Sequence, residues 1–392
     1  MIKKFFCAFL AVIISASFCV TAFAADDSDA LRFNEDGSFK ILQIADTQDD
    51  TEPSEDMLNL LRLAIAQTQP DLIVLTGDNV EDSAFKKLDH DSALSGVKTA
   101  IDIMLQPILE SGIPFTTVMG NNDYRSNISS DEYLEIYSGY QNCIVADEVE
   151  GDDRFNFNIE ILASDSNKTA YNIWMMDTGE DDNTGDDITK AQQEWYESEC
   201  DKLTQANGGI PVPSLVFQHM PVAETGNLYE RCSKDNQGAF ELNNRWWRLN
   251  PEMAKGYSGE MVNEPGYTSK QFESWKEKGD VVAAFFGHIH FDSFYGVYDG
   301  IGLGVTAGAM FAKADPHGVR VITVYEDNPT EISTQAYIYN GRLADENASL
   351  DLQIEDTYTD EVNDFYSFLH KFRAAFVYVY VKVAGFFERL FG

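Results

Sequence analysis

Two histidines stand one residue apart in AAFFGHIHFD, directly after an apolar run. In an extended segment side chains at i and i+2 share a face, so His288 and His290 can serve one site. They form either a pair of metal ligands or a hydrogen-bonded polar cluster. Further residues with ligand chemistry follow apolar stretches elsewhere. Asp46 and Gln48 follow FKILQI, Asp78 follows LIVLTG, Asn121 follows FTTVMG and His219 follows SLVFQ. A carboxylate can bridge two cations, and imidazole nitrogen and amide oxygen can complete their shells. Such a mixed set suits manganese, iron or zinc and excludes none of them.

These residues are far apart in sequence, so the elements before them must bring them together. Strand patterns over 39–46, 70–79 and 113–123 alternate with helical patterns over 54–69 and about 92–111. That alternation predicts a parallel α/β core. In open α/β sheets a ligand site lies outside the carboxyl ends of the strands. Downstream, 154–162 and 170–179 read as a hairpin-like pair, 188–205 as a helix and 213–221 as a strand. Residues 222–266 read as a long loop region with short helices, in which Trp246, Trp247 and Tyr257 either shape a pocket or pack a small core. A helix over 268–279, a strand over 280–290 and closing strands over 300–308, 318–326 and 331–339 complete the pattern. The acidic loop EDDNTGDD (180–187) fits no calcium loop and reads as a solvated turn.

The order of the fragments is their most specific property: Asp-x-Gln, Gly-Asp, Gly-Asn-x-Asp, His and Gly-His-x-His, each after an apolar strand. This resembles the calcineurin-like metallophosphoesterase superfamily over residues 38 to 326. The resemblance implies a two-sheet β-sandwich flanked by helices, a four-layer α/β/β/α fold, with two metal ions at the strand ends. It implies that Asp46, Gln48 and His290 bind the first ion and that Asp78 bridges both. Asn121, His219 and His288 would hold the second. Two ions would clamp a phosphate and activate water for direct attack on phosphorus. Purple acid phosphatases need a tyrosine three residues after the bridging aspartate. Glu81 stands there, which argues against an iron–tyrosinate site.

Two positions depart from the family pattern, which reads Asp-x-His and Gly-Asn-His-Asp. Gln48 can bind a cation through its carbonyl oxygen, more weakly than imidazole. Asn122 replaces a histidine thought to assist the leaving group; an amide donates a hydrogen bond but delivers no proton near neutral pH. Arg125 either contacts phosphate oxygens or is a surface arginine. His317, in DPHGVR, is either a substitute acid or a solvated loop residue.

The rest of the chain bounds the setting. MIKKFFCAFLAVIISASFCVTAFA reads as a secretory signal peptide (1–24) cut after Ala24, so a secreted or cell-envelope location is expected. Residues 25–37 read as an acidic leader, 38–342 as one catalytic domain and 343–364 as an acidic linker. With 65 acidic against 28 basic residues, the formal net charge is -37. Such a surface repels nucleic acid, and any phosphate site in it needs local positive charge. Cys143, Cys200 and Cys232 remain after the signal peptide, too few for a disulfide framework. The tail 365–392 is apolar and aromatic, and its Lys371, Tyr378, Lys382 and Arg389 fall along one helical stripe. It lies in a membrane interface or docks on the body or a second copy, and its Val–Tyr alternation also permits a strand. The expected activity is hydrolysis of phosphate monoesters, with phosphodiesters or nucleotides as the other substrate class. A surface binding protein with a degenerate site is the reading from a different class.

Overall fold

The computed structural model describes residues 30–149, 154–180, 188–261, 263–311, 316–339 and the backbone of 352–354. The expected signal peptide, most of the acidic loop at 180–187, most of the expected linker and the whole tail 365–392 lie outside these residues.

The first half alternates as its pattern predicts. β1 (Ser38–Ile44), α1 (Glu55–Thr68), β2 (Leu72–Thr76), α2 (Asp82–Phe85), α3 (His90–Met104), α4 (Gln106–Ser111), β3 (Phe115–Val118), α5 (Asn121–Tyr124) and α6 (Ser130–Ser138) follow in order. The single helix expected over 92–111 is two, because Pro107 lies in the first turn of α4 and cannot continue α3's hydrogen bonds. Then come β4 (Phe157–Leu162), β5 (Thr169–Met176), α7 (Lys190–Ala206) and β6 (Ser214–Gln218). A capping box of Thr189 and Gln192 starts α7.

The region 222–266 departs from expectation. After a 3-10 turn at Ala223–Leu228 it holds β7 (Tyr229–Arg231), β8 (Phe240–Leu242), β9 (Arg245–Leu249) and β10 (Ala254–Tyr257). The first three form a small sheet of their own. Asn243 and Asn244 join β8 to β9 with φ of 52° and 60°, the backbone that a two-residue hairpin turn requires. Trp247 and Tyr257 are buried, Trp247 in a core shared with Leu228, Tyr229, Phe240 and Phe294, and the Arg231 guanidinium lies 5.0 Å from the Trp247 ring centroid. Finally come α8 (Lys270–Lys278), β11 (Val281–Phe286), β12 (Ser293–Tyr298), β13 (Ile301–Val305), β14 (His317–Tyr325), β15 (Ile332–Tyr339) and β16 (Leu352–Ile354).

Two large sheets result, ordered β16-β15-β14-β1-β2-β3 and β10-β12-β13-β11-β6-β5-β4. β1, β2 and β3 run parallel in one; β5, β6, β11 and β13 run parallel in the other. Strand alternation divides the second sheet's side chains between two cores. Ile173, Met175, Leu215, Phe217, Ala283 and Phe285 face the first sheet, where one core forms. Trp174, Met176, Val216, Ala284 and Phe286 face α7 and α8, where the second forms. With α1, α3 and α4 on the outer side of the first sheet, this is a two-sheet sandwich flanked by helices.

The fold extends past the expected limits. Leu31 and Phe33, inside the expected leader, are buried, and they exchange backbone hydrogen bonds with Leu162. Leu352–Ile354, inside the expected linker, pairs with β15 as an edge strand. Alternating apolar residues within a polar stretch suffice for such pairing.

A polar strut joins the sheets below the strand ends. Gln43 Nε2 donates to the Phe286 carbonyl at 3.0 Å and to Thr76 Oγ1 at 3.2 Å, while its Oε1 accepts from Thr306 Oγ1 at 2.6 Å. Buried Arg320 donates in turn to Thr306, Ser293 and the Val305 carbonyl. Gln43→Leu should therefore strand several buried groups and lower stability by about 1–3 kcal/mol in urea unfolding. No change in the unfolding midpoint would show that the strut carries no stability.

Candidate metal centre

The turns that leave β1, β2, β3, β6 and β11 all open at the carboxyl ends of parallel strands. Backbone hydrogen bonds lace them: Asp46 N to Gly77 O, Gln48 N to Asp78 O, Gly287 N to His219 O and Gly308 N to His290 O. Four side chains with ligand chemistry sit on strained backbone, with φ of 50° at Asp46, 34° at Gln48, 52° at Asp78 and 68° at His288. Non-glycine residues seldom adopt positive φ, and such strain concentrates at functional sites. Gly120 permits a close approach: a Cβ there would collide with the Asp78 carboxylate and backbone nitrogen.

The structure brings the seven sequence-predicted ligands to one place. Asp46, Gln48, Asp78, Asn121 and His219 are buried, His288 and His290 half-buried. Ligand atoms of Asp46, Asp78 and His219 all lie within 4.8 Å of one another. The contacts fall into two halves that share Asp78.

In one half, His219 Nε2 lies 3.2 Å from Asn121 Oδ1, 3.2 Å from His288 Nδ1 and 3.4 Å from Asp78 Oδ1. The His219 Nδ1–H donates to the Thr76 carbonyl at 2.8 Å, which aims Nε2 inward. Atoms bound about 2.0–2.2 Å from one ion stand roughly 3–3.5 Å apart, so this set fits a cation. Turning the Asn121 amide over would instead let its nitrogen donate to His288 Nδ1 and His219 Nε2, with its oxygen accepting from Arg125 Nη1 at 3.0 Å.

In the other half, His290 Nε2 lies 3.4 Å from Asp46 Oδ1 and 3.3 Å from Gln48 Nε2. Asp46 also accepts from the His288 backbone N–H at 3.0 Å. Gln48 turns its nitrogen inward and donates to Asp78 Oδ2 at 2.7 Å. Asn122 adds two hydrogen bonds at 2.8 Å, from its backbone to Asp78 Oδ1 and from its side chain to Oδ2.

Charge follows this arrangement. Burial opposes a charged His219, but the Asp78 carboxylate outweighs it and lifts the ring's pKa to about 10. Burial and the neighbouring His219 push His288 down to about 4. Burial also opposes an ionised Asp78, yet His219 and the Asn122 N–H hold it well below the usual carboxylate range.

Around this cluster stand residues with supporting contacts. Arg125 lies at the rim, paired with Glu180. His317 starts β14, buried and stacked 3.9 Å from the Phe311 ring, instead of lying in a solvated loop. Glu81, at the position of a purple acid phosphatase tyrosine, accepts from Ser83 N at the start of α2. Two buried carboxylates acquire roles the sequence did not assign. Asp123 accepts from the backbone of Gly120, Asn79 and Val80, fixing the β2 and β3 turns together. Asp292 accepts from Ser258 Oγ and the Gly259 and Glu260 backbone, pinning the insertion to the histidine turn. The signal for both was an acidic residue two places beyond a ligand.

Comparison with known proteins identifies a family and related sequences. The sequence model of the family described as calcineurin-like phosphoesterase matches residues 39–292. Two Arabidopsis thaliana proteins are similar in sequence. "Probable inactive purple acid phosphatase 14" is 28% identical over 72% of this chain and 73% of its own length. "Probable inactive purple acid phosphatase 28" is 26% identical over 69% and 70%. Among solved structures, a dimetal phosphatase from Danio rerio aligns over 76% of this chain and 98% of its own, with 13% identity and a TM-score of 0.45. The Plasmodium protein described as GAP50, the anchor in the inner membrane complex, aligns over 85% and 94%, with 13% identity and a TM-score of 0.43.

Two outcomes are expected. Gly120→Ala should cost about 1–3 kcal/mol in thermal unfolding and weaken metal binding; wild-type binding would show that the close approach to Asp78 is dispensable. At pH 7 the metal-free chain carries a proton on His219, whose pKa is about 10, and none on His288, at about 4. A cation must displace that proton, so calorimetric titration in buffers of different ionisation heat should show about one proton released per ion. Apparent affinity should tighten as pH rises toward 10; an affinity independent of pH would contradict this charge assignment.

Proposed function

The chain belongs to the calcineurin-like phosphoesterase family, and from that membership and the cluster's geometry we propose that it is a secreted, metal-dependent hydrolase of phosphate monoesters. The observation that carries this reading is the convergence of Asp46, Asp78, Asn121, His219, His288 and His290 on one strained, buried edge. Without a cation or proton, that cluster would place lone pair against lone pair at high desolvation cost.

When bound, divalent cations would offset charge on phosphoryl oxygens and make water acidic enough to attack phosphorus. They would also supply positive charge within a chain of net charge -37. The protein's own groups do the positioning. Asp78, ionised and held by Asn122, anchors the centre; Thr76 fixes the His219 ring. Arg125, at the rim and paired with Glu180, would meet phosphate oxygens. Asn122 donates a hydrogen bond but no proton, so esters with good leaving groups are the expected substrates. Phosphodiesters and nucleotides form the other ester class. Secretion rests on residues 1–24, and contact with a membrane surface on residues 365–392. Among the described residues no helix is long and apolar enough to cross a membrane.

A second reading, a binding protein with an impaired site, is supported by Gln48, Asn122 and the words "probable inactive" in the relatives' names. One assay separates the two. The chain from residue 25 should hydrolyse an aryl phosphate when manganese, zinc or iron is added, faster than a bis-aryl phosphodiester, and Asp78→Asn should abolish turnover. Alkyl phosphates should lag, and Asn122→His should recover part of the roughly 10²–10⁴-fold worth of general-acid help. Metal binding without turnover on any ester would favour the binding protein.

A further inference from the structure

The two positions that depart from the family pattern meet on a single atom. Gln48 Nε2 and Asn122 Nδ2 donate to Asp78 Oδ2 at 2.7 and 2.8 Å. The same Gln48 nitrogen lies 3.3 Å from His290 Nε2. An amide NH2 group thus stands between the Asp78 carboxylate and His290, where a cation would have to contact both. The Asp78 Oδ1 half is different: among the described residues no amide side chain reaches Oδ1, which accepts from the Asn122 backbone N–H and lies 3.4 Å from His219 Nε2, itself 3.2 Å from His288 Nδ1 and from the Asn121 amide.

We propose that the centre is functionally mononuclear: one cation binds tightly among Asp78, Asn121, His219 and His288, while the Gln48 and Asn122 amides close the position beside Asp46 and His290. The proposal rests on reading the cluster as a metal centre, not on hydrolysis. The physical reason is competition for Asp78 Oδ2. A second cation must break two hydrogen bonds to a buried carboxylate, whose donors then need new partners. It must also turn the Gln48 amide to present oxygen, because a primary amide nitrogen has no lone pair free for coordination. The bond at 2.7 Å is shorter than the roughly 3–3.5 Å that separates neighbouring ligands of one ion. Gln48 and Asp78 would therefore have to part for both to bind one cation. The tight half needs only the loss of the His219 proton and an Asn121 amide with its oxygen inward, and no amide side chain has to leave Asp78 Oδ1.

Manganese(II) alone is the probe, and no substrate is used. Metal-stripped wild-type chain from residue 25 should bind one equivalent tightly in calorimetric titration, with any second at least about 100-fold weaker. Its electron paramagnetic resonance spectrum should show isolated manganese without spin coupling. Gln48→His replaces the blocking amide by a ligand, and Gln48→Glu replaces its donor by an acceptor. Each should gain a second tight equivalent, and Gln48→His should show a spin-coupled pair. Two equivalents of similar affinity in the wild type would overturn the proposal without any variant having to fold. A folded Gln48→His chain, checked by circular dichroism, that still binds one ion would overturn it too. Failure to hydrolyse any ester would count against the proposed function and leave this stoichiometry standing. Two equal sites would overturn the stoichiometry and leave the hydrolase reading intact.

Discussion

The buried carboxylate of Asp78 is the constraint around which the site is arranged. It sits on a turn with φ of 52°, at the end of a strand whose five residues are all buried. An ionised group in that place needs compensation from several directions. Asn122 supplies two hydrogen bonds, Gln48 a third, and His219 a positive charge. Those donors come from the turns after β1, β3 and β6, so one charge fixes the relative position of three strand ends. Gly120 has no side chain because the carboxylate occupies that space.

This arrangement depends on the two sheets keeping their separation. The apolar inner faces supply most of the cohesion, but apolar contacts are non-directional. Direction comes from Gln43, which bonds to Thr76, Phe286 and Thr306 just below the turns that carry Asp78, His288 and Gly308. Thr76 links this strut to the site, since its hydroxyl meets Gln43 and its carbonyl orients His219. Asp123 and Asp292 do comparable work at either side of the cluster, using backbone N–H groups that would otherwise be buried without partners. The strain at four ligand positions is held by this framework.

The same compensation makes the two halves chemically unequal. In one half two imidazoles and the Asn121 amide surround Asp78 Oδ1, and His219 supplies the positive charge. In the other an amide already provides hydrogen-bond donation to the carboxylate and the histidine. A pattern departure that looks like the loss of one ligand therefore becomes a change in what the pocket presents.

Much of this was legible in the sequence. Apolar runs ending in Asp-x-Gln, Gly-Asp, Gly-Asn-x-Asp, His and Gly-His-x-His located the strands and the candidate ligands, because buried strands and the polar turns after them leave local signatures in residue type. Hairpins in the insertion were harder to read: β7 and β8 have only three residues each, too short for a period to register, and the Asn243-Asn244 turn was their one clear mark. The packing of Leu31 and Phe33 and the pairing of Leu352–Ile354 depended on partners far along the chain. Sequence by itself determined the order of strands, the candidate ligands and the strongly acidic balance. Only the tertiary structure decided that Gln48 and Asn122, 74 positions apart, aim their amides at one oxygen of Asp78. Local periodicity records which face a side chain takes, whereas its neighbour across the site is set by how the turns of two sheets pack together.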